Sequence, residues 1–77
     1  ELAWKFETEG LVRSSPIAVD DKLIFGSYDG NLYVLNRFSG RPFWSYQTKG
    51  MISSSPAYFD GKIYITSEDG FLYCFGS

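Results

Sequence analysis

Four aspartates stand where proton-transfer chemistry would be sought first: Asp20, Asp29, Asp60 and Asp69. A carboxylate can serve as a general base, and two close together can divide acid and base roles. Each of these four, however, has a copy 40 residues away. A catalytic group is needed once, whereas a turn residue is needed at every turn, where Asp bonds its own backbone. The spacing therefore predicts that Asp29-Gly30 and Asp69-Gly70 are tight hairpin turns, with Gly30 and Gly70 at positive φ. Histidine, the commonest general base and metal ligand, is absent. Cys74 is the only cysteine, so no intrachain disulfide can form. It takes the place of Val34 in the other repeat, which predicts a small core residue rather than a reactive thiol.

Arg13-Ser14-Ser15 and Ser53-Ser54-Ser55 form the remaining polar clusters. Each precedes the first strand of a repeat. In a ring of such repeats that position borders a central channel. Arg13, Ser14, Ser53 and Ser54 are thus candidate contacts for a small polar or anionic ligand. The competing assignment is that these hydroxyls satisfy backbone groups in a crowded entry turn. No catalytic, cofactor-binding or metal-ligating set emerges from the residue types.

The elements that must position these residues follow from the period. Aligning residues 4–37 with 44–77 gives 13 identities in 34 positions, with Trp4/Trp44, Ser14-Ser15-Pro16/Ser54-Ser55-Pro56 and Leu32-Tyr33/Leu72-Tyr73 among them. A period of this length with strand patterning indicates a propeller blade. Within a repeat, the sequence predicts strands over 15–19, 22–28, 31–36 and 41–48. Asp20-Asp21 and Asp60-Gly61 supply two-residue turns, and Ser39-Gly40 turns the chain into the fourth strand. Residues 2–8 are the front-end copy of that fourth strand. Leu32 and Val34 alternate with Tyr33 and Leu35, so both faces of the third strand are apolar, as in a sheet covered on both sides.

The expected fold is therefore all-β: a β-propeller segment of two four-stranded antiparallel blades. The repeats run about 1–40 and 41–77. One blade is whole, over about 10–48, and the other is split between 1–9 and 50–77. Repeats of this kind cannot bury their faces alone. The net charge of −2 and the absence of a basic patch argue against nucleic acid. No apolar run approaches the length of a membrane span. Glu1-Leu2-Ala3-Trp4 does not read as a signal peptide, so an export signal would lie outside this segment.

The stretch Tyr33-Val34-Leu35-Asn36-Arg37-Phe38-Ser39-Gly40-Arg41-Pro42-Phe43-Trp44 resembles the tryptophan-docking motif of the pyrroloquinoline-quinone (PQQ) repeat family, roughly Ala-x-Asp-x-x-Thr-Gly-x-x-x-Trp. Gly40 and Trp44 match, while Val34, Asn36 and Ser39 depart mildly. Ser-Ser-Pro and Ser-x-Asp-Gly-x-Leu-Tyr match the family in both repeats. The resemblance implies an eight-bladed ring in which Trp4 and Trp44 dock between adjacent blades, with Gly40 belonging to the docking motif. On that basis Trp44→Ala should cost about 3–5 kcal/mol. It also implies a periplasmic or extracellular setting.

Family members include quinoprotein alcohol dehydrogenases, a lipoprotein of the outer-membrane barrel-assembly machinery and bacterial sensor domains. The dehydrogenases carry a vicinal Cys-Cys disulfide, calcium ligands and a catalytic Asp, and this chain has no vicinal cysteine pair. The reading is a non-catalytic propeller unit, a scaffold or a protein- or ligand-binding module, without cofactor. The alternative is a fragment of a PQQ-dependent alcohol or sugar dehydrogenase, with PQQ and calcium. The expected partners are further blades, either from a longer chain or from identical copies, four of which would give eight blades.

Overall fold

A computed structural model describes residues 4–76 as two antiparallel sheets with no helix among them. The first sheet holds β1 (Ile17–Val19), β2 (Lys22–Gly26), β3 (Asn31–Asn36) and β4 (Pro42–Gln47), in that order. The second holds β5 (Ala57–Phe59), β6 (Lys62–Thr66) and β7 (Leu72–Phe75). β-Branched and aromatic residues fill these strands, and Asp-containing turns interrupt them before any helix could form.

Several strands are shorter than the sequence predicts. β1 begins at Ile17 rather than Ser15, because Pro16 has no N–H to give to a ladder. β2 ends at Gly26 rather than Tyr28. The Asp29-Gly30 connection is accordingly longer than a two-residue hairpin. Ser27 N donates to Asn31 O (3.0 Å) and Gly30 N to Ser27 O (3.1 Å) across it. Gly30 and Gly70 sit at φ +92° and +94°. Asp20 and Asp60 also take positive φ (both 54°), in the two-residue turns that join β1 to β2 and β5 to β6.

The larger correction concerns the fourth strand of the second sheet. Residues 4–8 form no strand, and residues 2 and 3 of the expected one lie outside the described residues. Nor do residues 4–8 reach β7. Phe6 packs on Phe25 (6.5 Å between ring centroids) and Tyr33 (5.2 Å), on the first sheet's face away from the second sheet. The first sheet therefore stands between residues 4–8 and β7, so one chain cannot close the split blade on itself.

The core lies between the two sheets. Ile24, Leu32 and Val34 from the first meet Ile52, Ile63 and Ile65, with Tyr73 and Phe75 packed against them. Gly26 is required at this junction, since a Cβ there would run into the Ile52 side chain. The second sheet's other face has no cover among the described residues: Phe59, Leu72 and Cys74 are exposed.

Candidate functional site at the blade junctions

The repeated aspartates hold one arrangement twice. Asp29 Oδ1 accepts from Asn31 N (2.8 Å), and its Oδ2 accepts from Glu9 N (3.0 Å) and Tyr33 Oη (2.7 Å). Asp69 does the same with Phe71 N (3.0 Å), Lys49 N (3.1 Å) and Tyr73 Oη (2.6 Å). Each carboxylate thus binds its own loop, a tyrosine on the next strand, and the backbone of the segment that arrives from the preceding repeat. Thr48, almost fully buried, extends the junction. Its N–H donates to Gly30 O (2.7 Å), and its hydroxyl lies 2.8 Å from that same oxygen and 2.7 Å from Gly50 O.

The electrostatics follow from these bonds. Burial pushes the Asp29 carboxyl up, but the bonds from Tyr33, Asn31, Glu9 and Ser27 together outweigh it and leave it below the ordinary carboxylate value. At Asp69 the Tyr73 bond is the largest influence, and the net direction is again downward despite burial. Tyr33 is pushed up to about 12 by burial and then by Asp29, and Tyr73 to about 12 by the Asp69 bond and then by burial. An acid lowered in the fold stabilises it above the unfolded value, near pH ~4, and that contribution is lost as pH falls through the lowered value. A tyrosine raised in the fold stabilises it below roughly pH 10, and the contribution is lost as pH rises through about 12. Replacing both Asp29 and Asp69 by Asn should therefore flatten the acid limb of stability. Urea midpoints measured from pH 2 to 7 should fall less steeply than in the parent chain; an unchanged slope would remove the two aspartates from that limb.

The two entry turns that carry the four polar candidates meet, Ser15 N donating to Ser55 Oγ (2.8 Å), and each candidate has a partner of its own. Ser14 is buried, and its hydroxyl donates to Gly26 O (2.9 Å) and accepts from Gly26 N (3.1 Å). Ser54 pairs with Thr66 (2.6 Å) and Ser53 with Glu68 (3.2 Å). The Arg13 guanidinium sits over the Tyr28 ring, 5.9 Å from its centroid. Two hollows open elsewhere. One of about 650 Å³ is lined by Tyr28, Asp29, Gln47, Thr48 and Lys49. The other, about 260 Å³, lies between the sheets beside Ile24, Val34, Trp44 and Phe75. Arg13, Ser14, Ser53 and Ser54 line neither.

At the outer rim, Trp4 lies against Gly40 and donates from Nε1 to Arg37 O (3.0 Å). Gly40 has φ +79°, and a Cβ on it would come within 2.5 Å of the indole. Trp44, its copy, is 39% exposed and touches Phe75 (5.6 Å between ring centroids).

Residues 1–75 match the PQQ_2 family, described as outer membrane protein assembly factor BamB. The chain belongs to this family. The crystal structure of BamB from Moraxella catarrhalis is similar at a TM-score of 0.81 and 27% sequence identity, over 95% of this chain and 23% of that one. The fold is thus a β-propeller segment, and the PQQ_2 chain spans about a quarter of the length of that BamB. A search of curated proteins returned no match.

Against the donor set that a calcium-bound quinone requires, this PQQ_2 chain fits poorly. Among the described residues no three His, Cys, Asp or Glu side chains gather around one point, and Cys74 has no vicinal partner. Its repeated carboxylates are committed to the junctions described above. Tyr33, Tyr73 and Thr48 also belong to those junctions, although residue type alone does not single them out. The signal was present, because each tyrosine follows its Asp by four positions and Thr48 repeats Thr8.

Proposed function

We propose that this chain is a non-catalytic propeller unit, a scaffold or a protein-interaction or ligand-binding module completed by further blades or by self-association. The observation that carries this is the fate of Asp29 and Asp69: both hairpin carboxylates are tied to backbone and tyrosine, in the same geometry twice. Likeness to a protein named as an outer membrane protein assembly factor supports an assembly role. The family resemblance favours a periplasmic or extracellular setting. In this reading a weakly held polar ligand would have to share Arg13, Ser53 and Ser54 with Tyr28, Glu68 and Thr66, while Ser14 is committed to Gly26. No helix of the described residues is long and apolar enough to cross a membrane.

The quinoprotein alternative has a direct test. PQQ and calcium added together should neither raise the melting temperature nor produce dye-linked oxidation of alcohols or sugars. Turnover dependent on both additions would replace the scaffold reading with the dehydrogenase one.

A further inference from the structure

Three Asp-Gly pairs stand in the chain, at 29–30, 60–61 and 69–70. Such a pair can close on itself, the glycine nitrogen attacking the aspartate Cγ. Glycine hinders that approach least, because it has no Cβ and rotates freely. A fold protects the pair in two ways: donors hold the carboxylate, and an acceptor holds the glycine N–H.

The first and third pairs have both protections. Asp29 accepts from Asn31, Glu9 and Tyr33, and Asp69 from Phe71, Lys49 and Tyr73. Gly30 N donates to Ser27 O and Gly70 N to Ser67 O, each at 3.1 Å. The Ser27 and Ser67 hydroxyls also accept from Asp29 N and Asp69 N (both 3.2 Å), which closes each loop from within.

The middle pair has neither. Asp60 and Gly61 form the exposed two-residue turn between β5 and β6. Among the described residues, neither the Asp60 carboxylate nor the Gly61 N–H has a hydrogen-bond partner. A Cβ on Gly61 would meet nothing within 4 Å, so the turn has room to swing. What resists is the Phe59–Lys62 pair at the end of β5, a strand of 3 residues, all exposed. The end of so short a ladder opens locally at low free energy. The exposure belongs to the position itself. Asp20-Asp21 occupies it in the first sheet, where the neighbouring sheet is packed alongside, and both residues are exposed there too. That turn lacks the reactive pair, since Asp21 carries a Cβ and its carboxylate meets Lys22 (3.3 Å).

We infer that Asp60-Gly61 is a site of isoaspartate formation and that the fold spares Asp29 and Asp69. The reaction needs only water. When the turn opens, Gly61 N reaches Cγ of the Asp60 carboxyl, protonated from solvent. The N–Cγ bond forms, and the carboxyl hydroxyl leaves with the nitrogen's proton as water. The product is a five-membered imide, one water lighter than the chain. Water then adds to one of its two carbonyls. Addition at Cγ restores Asp60. Addition at the former main-chain carbonyl leaves an isoaspartyl link, with the chain running through Cβ. Nothing is oxidised or reduced. The extra methylene in a two-residue turn disturbs the match of Phe59 with Lys62, because loop length sets hairpin register. The product also carries a free α-carboxylate, which a methyltransferase using S-adenosylmethionine can esterify.

Ageing the folded chain in neutral buffer tests the site. Digestion with a protease that cuts before Asp but not before isoaspartate, followed by mass spectrometry, reads each position. Enzymatic carboxyl methylation counts the product. Position 60 should convert first. Positions 29 and 69 should lag by about tenfold or more, because hydrogen bonds to a charged group must break before they react. In concentrated urea the three rates should converge. Gly61→Ala should suppress conversion at 60 while the far-ultraviolet sheet signal persists. A folded chain that stays intact at 60, while the urea-unfolded chain converts there, overturns the site. Conversion at 29 or 69 as fast as at 60 in buffer overturns the sparing. Conversion of Gly61→Ala at the parent rate removes Gly61 N as the attacking group.

Discussion

Leu32→Ala is expected to lower the unfolding free energy by about 2–5 kcal/mol, whereas Leu72→Ala should change it by no more than about 0.5 kcal/mol in dilute single chains. The two leucines are equivalent in sequence. Leu32 is 0% exposed, between Gly26 and Tyr46 along its sheet and in the cluster with Ile52, Ile63 and Ile65. Truncating it removes transfer energy and leaves a cavity that two sheets, pinned by hydrogen-bonded crossovers, cannot readily collapse. Leu72 is 68% exposed and has little burial to lose. Urea unfolding at low concentration tests the asymmetry, and equal losses would mean that the two sheets are not packed as described.

That contrast also marks what the sequence could and could not disclose. The hydrophobic pattern is the same at Leu32 and Leu72, so strand identity and the apolar nature of both faces were legible at both places. Cys74 was expected in a core because Val34 occupies the same position, yet it is exposed. Periodicity reports what a residue can pack against and is silent on whether the neighbour is present in the same chain. The strand expected over residues 2–8 has the same origin. Its residue types suit a fourth strand, but a strand exists only through a ladder, and β7 lies beyond the first sheet. At the junctions, recurrence correctly set Asp29 and Asp69 apart from catalysis by a single carboxylate. The tyrosine and backbone partners were less legible, because Tyr33 and Tyr73 read equally well as face-filling aromatics. Ser14 is the converse case. Its type suggested a ligand contact, and only coordinates show that both its donor and its acceptor sides meet Gly26.

Trp4→Ala is expected to cost about 3 kcal/mol, near the lower end for aromatic truncation because the indole is partly exposed. Gly40→Ala should cost about 2 kcal/mol. We assign both losses to one contact. The indole rests on the Gly40 backbone and its N–H reaches Arg37 O, so the ring fits only while position 40 has no Cβ. The φ of +79° adds a separate penalty for any L side chain. If the contact is shared, the double variant should lose at least about 1 kcal/mol less than the sum of the singles. Strict additivity in this cycle would separate Trp4 from Gly40. In a Trp44→Phe background the remaining fluorescence reports Trp4, and Gly40→Ala should shift its emission toward that of solvated indole. Trp44 behaves differently in the single chain. It is 39% exposed and its ring meets Phe75 (5.6 Å between centroids). Trp44→Ala should therefore cost less than Trp4→Ala, rather than the full loss that the family motif implies. The difference between the two tryptophans measures what the turn beneath the ring contributes.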